Sequence, residues 1–305
     1  MLAPLIHSPS MVESAPSRVG LIVALASATA YGVNIIGAKM SAAAGIAAPT
    51  VVFYRVAMMM AIIGVVLVAM RGAPKISRTA WPAMALLIIT SGGMGIAYLS
   101  SVAFIPVTVA AVILYTYPVL IVLLGPVVAG TVLRPRDVMI VLTAFAGVVT
   151  MVGPSFSSLD ARGLALAACA ALFTTCQFFA GNRLAKESTI DKIFWVQTGV
   201  LPIAAAVALL SGGLLGPQSL LLSPDGVAIV IGGYIIGSCG LLFALSRLRA
   251  SVAGLVFCLE PVVASTSSAL WLGERLAPIQ YAGGALVIAA IIATIFAPAQ
   301  RLQAA

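Results

Sequence analysis

A glutamate lies near the middle of an apolar segment that is long enough to cross a bilayer. The segment runs from Ser251 to Arg275, and Glu260 within it is followed directly by Pro261. A carboxylate at that depth costs about 3 kcal/mol on insertion scales, so such residues usually face a wet cavity or pair with a partner. Proline also removes a backbone donor there, which neighbouring groups must compensate. The segment therefore predicts a polar site inside the membrane.

Two roles for Glu260 remain open from the sequence. As a functional group, the carboxylate would carry a coupling proton or bind the amine of a substrate, because acids inside membranes commonly mark such pathways. As a structural group, it would accept hydrogen bonds from neighbouring hydroxyls or from the helix end created at Pro261.

Arg55 is a second charged residue inside a predicted span, about five residues or roughly 8 Å from the outer end of its helix. Arginine binds a substrate carboxylate well, because its planar fork can donate two parallel hydrogen bonds. From so shallow a position the side chain can equally extend to the lipid headgroups. The sequence leaves open whether Arg55 and Glu260 form a pair.

Aromatic and amide side chains inside the predicted spans complete the candidate site. Each aromatic offers a cavity wall an apolar face with a polar tip, although packing or an interfacial belt explains any single one more simply. A buried amide needs a hydrogen-bond partner, either at a cavity wall or on another helix. The candidate substrate-binding residues are Tyr31, Asn34, Arg55, Tyr117, Gln177, Trp195, Gln197 and Glu260, and Glu260 is also the candidate coupling residue.

The region around Glu260 has a counterpart earlier in the chain. Tyr117 and Pro118 precede Glu260 and Pro261 by the same 143 residues, within apolar stretches that align. This register favours Tyr117 as a residue that faces the cavity. If each half holds five spans, the second half must enter the membrane in the opposite sense. The pattern therefore predicts an inverted repeat, with a substrate site near the midplane between the halves.

The composition defines the class of protein in which these residues lie. Of the 305 residues, 62% are hydrophobic and 8% are charged, whereas soluble domains have roughly 45–50% apolar and about 25% charged residues. The chain is long enough for about ten membrane-spanning helices. The short alternating segments of a β-barrel do not occur in it. We therefore expect an all-α integral membrane protein with ten transmembrane helices around a central cavity.

Hydropathy and charge predict the order and orientation of the spans. The predicted spans are residues 19–40, 50–70, 81–101, 107–130, 137–153, 163–182, 193–211, 226–246, 251–271 and 278–297. With the N-terminus in the cytoplasm, twelve basic residues fall on the inner side and three on the outer side, which is the bias that membrane proteins show. We expect a disordered tail over 1–18, repeats over 19–153 and 162–297, a tail over 298–305, and both termini in the cytoplasm.

Several segments resemble the EamA-type branch of the drug/metabolite transporter superfamily. The most specific runs from the ninth helix into the tenth, and reads SVAGLVFCLEPVVASTSSALWLGERLAPIQYAGGALVI. The first helix adds AYGVN and Lys39, the second Arg55, and the fourth TVAAVILYTYP. The first repeat departs from the pattern, because Thr131 stands where the second has Glu274. The resemblance implies alternating access in the bacterial inner membrane, in a family that includes exporters of amino acids and other metabolites.

These observations favour a secondary transporter that exports amino acids or related compounds, with protons as a possible coupling ion. Uptake of a vitamin or cofactor precursor, for example a riboflavin-like compound, is the alternative. A lipid head-group enzyme is disfavoured, because the outer acids are scattered, and the sequence has no GxSxG, Walker A or HExxH motif. We expect a small-molecule substrate and a lipid bilayer as partners, no nucleic acid, metal or cofactor, and a monomer or homodimer.

Overall fold

The computed structural model describes residues 17–70, 72–153 and 159–296 as helices joined by short loops. The helices are α1 (Arg18–Ala43), α2 (Ala48–Ala69), α3 (Trp81–Ser101), α4 (Val107–Leu114), α5 (Tyr117–Ala129), α6 (Pro135–Val152), α7 (Ala161–Arg183), α8 (Thr189–Leu210), α9 (Pro224–Ala244), α10 (Ala250–Phe257), α11 (Leu259–Leu272) and α12 (Pro278–Ile295). Short 3₁₀ turns cover Arg78–Ala80 and Pro217–Leu222. The predicted tails lie outside the described residues, apart from positions 17 and 18.

Ten helical spans within the described ranges are long and apolar enough to cross a membrane. This confirms the predicted all-α membrane fold, with α4 and α5 forming one span and α10 and α11 another. The fifth span begins at Pro135 and the seventh at Thr189, so both start earlier than the sequence predicts.

Local sequence signals explain where these helices begin and end. Proline lies in the first two positions of six of the α-helices, α2, α3, α5, α6, α9 and α12, where its fixed φ suits a helix and its missing donor is not needed. Gly130, Gly153 and Gly273 follow α5, α6 and α11 with φ of 63°, 61° and 69°. Glycine suits these left-handed caps because it has no Cβ.

Side chains cap other helix starts. Asp160 accepts a hydrogen bond from the backbone N–H of Arg162 at 2.8 Å and so caps α7. The side-chain hydrogen bond from Arg162 lowers the pKa of this exposed carboxyl. The Ser17 hydroxyl accepts from the N–H of Gly20 at 3.3 Å at the start of α1.

The fourth and ninth spans are both broken near their middle. The chain leaves the helix between α4 and α5 just before Tyr117, and between α10 and α11 just before Leu259. Pro118 and Pro261 lie in the first turn of the second half-helix in each case. Because the two breaks fall at positions related by the sequence repeat, the two halves share one backbone design.

The helix packing follows the symmetry that an inverted repeat requires. Helix α1 packs against α9, and its counterpart α7 packs against α3, while α2 packs on α8 and α6 on α12. The α1–α9 contact is the tightest kind, since a Cβ added to Gly37 would lie 2.5 Å from the carbonyl oxygen of Gly226. Small residues allow such close approach of helices in lipid.

The two ends of the bundle differ in charge. The end where α1 begins, here called the basic end, carries nine basic residues at helix termini and loops within the described ranges, and the opposite end carries three. Those at the basic end are Arg18, Lys75, Arg78, Arg134, Arg136, Arg183, Lys186, Arg247 and Arg249, and those at the opposite end are Lys39, Arg162 and Arg275. Lys192, which the sequence places in a loop, is instead buried in the first turns of α8.

Candidate functional site

A cavity of about 150 Å³ lies between α1, α2, α3, α7, α8 and α9. Its polar lining comes from both halves of the chain, and its remaining wall is apolar. The polar lining residues are Tyr31, Arg55, Ser91, Gln177, Gln197, Tyr234 and Ser238. Four of the residues predicted from the sequence, Tyr31, Arg55, Gln177 and Gln197, therefore meet at one cavity.

Arg55 brings a positive charge to this cavity from the third turn of α2. Its guanidinium carbon lies 4.6 Å from the centre of the Tyr234 ring, a cation–π contact. Its Nε is buried and has no hydrogen-bond partner. A buried donor without a partner is unfavourable, and this one belongs to a side chain that lines the cavity.

Gln197 fixes the aromatic ring on which Arg55 rests. Its Nε2 lies 3.1 Å from the Tyr234 hydroxyl, and its Oε1 lies 3.2 Å from the same hydroxyl, which can donate to it. Nε2 also contacts the sulfur of Met59 at 3.2 Å. Gln197 is 2% exposed, so little of this lining residue is accessible, and its amide is used in these contacts. It positions Tyr234, which in turn positions Arg55.

Two further polar contacts join the helices around the cavity. The hydroxyls of Tyr31 and Ser238 lie 2.8 Å apart and connect α1 to α9. The Gln177 amide donates to the Ser91 hydroxyl at 2.8 Å and connects α7 to α3. These contacts are related by the repeat symmetry of their helices, and they leave polar atoms along two opposite walls.

Glu260 lies beside the cavity rather than on its wall. It is partly buried in the first turn of α11, where the positive end of the helix dipole favours a carboxylate. Tyr31, which does line the cavity, is followed by Gly32, and a Cβ added to Gly32 would lie 2.7 Å from the backbone carbonyl oxygen of Glu260. The packing of α11 on α1 therefore brings Glu260 close to the cavity lining.

Arg55 and Glu260 form no ion pair with each other in the described part of the chain, where the side-chain ion pairs include Lys39 with Glu274 and Arg162 with Asp160. This settles a question that the sequence left open.

The other three candidates lie away from the cavity and pack between helices. Asn34 donates from Nδ2 to the Val230 carbonyl at 2.6 Å, joining α1 to α9. Tyr117 is 4% exposed, and its ring packs 5.1 Å from that of Phe178. The sequence predicts Tyr117 as a cavity residue from its repeat position, but the ring is turned into the core.

Trp195 packs at 73° on Trp81, with ring centres 4.9 Å apart. Its Nε1 is buried without a hydrogen-bond partner.

Sequence reasoning missed three polar residues around the site. Ser91 and Ser238 lie in glycine-rich stretches. Such stretches indicate close helix packing, so the sequence does not predict that these hydroxyls line a cavity. Lys192 lies outside the predicted seventh span, and the four additional residues of α8 bring it into the core. The part of the chain that the structure describes contains no group of three or more His, Cys, Asp or Glu side chains that could hold a metal ion.

Ten spans in two repeated halves, with polar side chains at a cavity between them, are typical of a membrane transporter. The EamA-like transporter family model matches the chain twice, over residues 18–153 and 161–296. The chain therefore belongs to the EamA-like transporter family, within the drug/metabolite transporter superfamily.

Two curated relatives extend this assignment. The threonine/homoserine exporter RhtA of Escherichia coli (strain K12) is 27% identical over 219 residues, which cover 68% of this chain and 69% of that protein. RhtA of Salmonella typhimurium (strain SL1344) is 28% identical over 213 residues, covering 66% and 67%. A protein crystal structure with 20% identity matches with a TM-score of 0.76 over 92% of this chain and 98% of its own, which shows that the fold is shared.

Proposed function

We propose that this chain is a secondary transporter that exports amino acids or closely related small metabolites. The observation that carries the proposal is Arg55, a cation with an unpartnered Nε in a cavity of about 150 Å³. A cavity of about this volume holds a ligand of benzene size, so a small amino acid fits better than a large vitamin. The similarity to an exporter of threonine and homoserine supports the same substrate class.

Arg55 binds the substrate carboxylate in this proposal. Its stacking on Tyr234 leaves the guanidinium edge free to donate, and a carboxylate can accept two parallel hydrogen bonds from it. The site is partly enclosed, so the interaction is stronger than it would be in water. A substrate without a carboxylate leaves the buried donor unsatisfied and binds more weakly.

Glu260 holds either the substrate ammonium or a proton, with Tyr31 between it and the cavity. The close packing of the Glu260 backbone on Gly32, next to Tyr31, supports this arrangement. One carboxylate cannot hold a proton and an ammonium group together at full strength, so the two ligands compete. Such competition couples outward movement of substrate to inward movement of protons, since each occupies the site in turn.

The orientation follows from the basic end, which we assign to the cytoplasm by the positive-inside bias. The lining residues Leu87, Ile193 and Leu242, nearer the basic end, are buried, whereas Pro49, Val52, Leu99 and Val207, nearer the opposite end, are partly exposed. In this proposal the structure represents a state that is closed to the cytoplasm and accessible from outside.

Export and uptake give opposite growth phenotypes. Cells that produce the chain are grown with toxic analogues of small amino acids, and auxotrophs are grown on limiting vitamin precursors. The proposal predicts resistance to the analogues and faster efflux of labelled amino acid from loaded cells, relative to cells with an empty vector. Rescue of a vitamin auxotroph without any efflux would contradict it and favour the uptake alternative.

A further inference from the structure

Lys192 is a fully buried cation that the substrate site does not use. It is 0% exposed and lies in the first turns of α8, at the basic end of the bundle. Burying an ammonium group is costly unless its hydrogen bonds are satisfied. An apolar residue would cost less free energy to bury at this position, so the lysine indicates a specific role.

All three protons of the Lys192 ammonium can be satisfied by oxygen atoms at helix ends. Nζ lies 3.3 Å from the Leu184 carbonyl, at the cap of α7, and 3.2 Å from the Leu242 carbonyl, in the last turn of α9. It also lies 3.1 Å from the Ser246 hydroxyl, which itself donates to Leu242 at 3.0 Å. Cations are favoured at helix C-termini, where free carbonyls and the negative dipole end converge.

The lysine therefore joins three helices of the second repeat at one end. The junction adjoins a buried apolar cluster that includes Met84, Leu87, Leu184, Ile193 and Leu242, and Leu87, Ile193 and Leu242 also line the cavity. Leu242 belongs to the junction and to the cavity wall, because its carbonyl accepts a hydrogen bond from Lys192 and the residue lines the cavity. The junction thus lies next to the buried part of the cavity wall at the basic end.

At the opposite end the buried Thr50 hydroxyl bonds the Gly213 carbonyl and the Leu215 N–H, and the contact made by a lysine is weaker. Lys39 there donates to Glu274 at 2.8 Å, but both side chains are nearly half exposed, at 45% and 47%. Exposed ion pairs contribute little to stability. The residues related to Lys192 by offsets of 143 and 142 are Pro49 and Thr50, so no buried cation occupies the corresponding place in the first repeat.

We propose that Lys192 is the latch of the gate at the basic end. It holds the C-terminal ends of α7 and α9 against α8, and opening toward that end requires its three hydrogen bonds to be released. This inference rests on the proposed transport function, because a gate has meaning only in a protein that alternates between two open states.

The test measures access to the cavity from each side. Val196→Cys, a residue that lines the cavity one turn from Lys192, serves as a reporter in a chain whose four native cysteines are replaced. A membrane-impermeant maleimide is added from one side and then from the other. The latch predicts that Lys192→Met raises labelling from the basic side at least tenfold, and that Ser246→Ala raises it by a smaller factor. Lys39→Met, the matched control at the opposite end, should leave labelling from the basic side unchanged.

Unchanged labelling from the basic side in both Lys192→Met and Ser246→Ala would overturn the latch, provided that the reporter still reacts from the opposite side. Ser246→Ala removes one neutral partner only, so it carries the test if Lys192→Met fails to reach the membrane. Labelling needs no substrate. Failure of the latch is therefore distinguishable from failure of the export proposal, which efflux measures.

Discussion

The two halves of the chain share a backbone design but differ in chemistry. The second helix of the first half carries Arg55, and the corresponding position of the second half, 142 residues later, carries Gln197. The broken helix of the first half carries Tyr117, which packs in the core, and that of the second half carries Glu260 beside the cavity. Each half thus supplies one charge, and the other half supplies a neutral residue.

A third pair shows the same division. Asn34 and Gln177 are 143 residues apart, and both donate to the partner helix of the other half. Asn34 bonds a backbone carbonyl and is sealed away, whereas Gln177 bonds the Ser91 hydroxyl at the cavity wall. Symmetry therefore builds the shared scaffold, and departures from symmetry place Arg55 in one half and Glu260 in the other. In the proposed transporter these two residues form the positive and the negative side of the site.

Removing the positive side should have the largest effect. Arg55→Gln makes the position equal to its counterpart Gln197, and we expect substrate flux to fall about 100-fold, since losing one partner of a buried charge pair costs about 2–5 kcal/mol. Flux of labelled amino acid in proteoliposomes measures it. The same substitution at the exposed Arg275 is the control, and it should change flux less than twofold. Equal flux in the Arg55 variant and the parent would remove Arg55 from the site.

Removing the negative side should abolish the coupling to protons. In the parent chain, a pH gradient that is acid on the side opposite the basic end should accelerate export about tenfold, because an acid inside the membrane can take up a proton. In Glu260→Gln this acceleration should be lost, because the amide cannot take up a proton. Glu274→Gln, at the exposed pair with Lys39, is the matched control. If acceleration by the gradient survives in Glu260→Gln, the coupling site lies elsewhere.

The shared scaffold can be tested at the close contact between α1 and α9. Gly37→Val places a side chain against the backbone of Gly226, and overpacking of this kind destabilises by about 1–3 kcal/mol. A lower melting temperature of the purified protein would report it. Gly64→Val adds the same side chain where a Cβ meets nothing within 4 Å. Similar melting temperatures for both variants would show that the α1–α9 contact accommodates a larger side chain than the structure indicates.

The smallest effect should come from the residues that position Arg55. Tyr234→Phe keeps the ring and loses the hydroxyl contacts to Gln197, so we expect KM to rise less than threefold. Tyr234→Leu also removes the cation–π contact, which contributes about 1 kcal/mol when partly desolvated, and should raise KM about fivefold. An equal KM for the two variants would argue against stacking as the positioning force.

Composition and hydropathy predict the fold well, because apolar length determines which segments span a membrane. The inverted repeat follows from the match of Tyr117 and Pro118 with Glu260 and Pro261. Helix boundaries are predicted less well. The sequence places Lys192 in a loop, whereas α8 begins at Thr189 and includes it. Depth along a helix can be counted from the sequence, and Arg55 and Tyr31, which it places inside spans, line the same cavity in the structure.

The direction in which a side chain points is harder to predict. In lipid, the outer surface of a helix is as apolar as its buried face, so periodicity does not show which face meets the cavity. Tyr117, Asn34 and Trp195 lie inside spans as expected, yet they point into helix contacts. Only the packing of all the spans reveals that Ser91 and Ser238 join the cavity wall.

The most direct measurement compares a small amino acid with its decarboxylated amine. Both compounds are labelled, and their flux is measured in proteoliposomes that contain either the parent chain or Arg55→Gln. If Arg55 recognises the carboxylate, the parent should carry the amino acid at least tenfold faster than the amine, and the variant should carry the two at similar rates. Equal rates in the parent, or a preference that survives in the variant, would contradict the account.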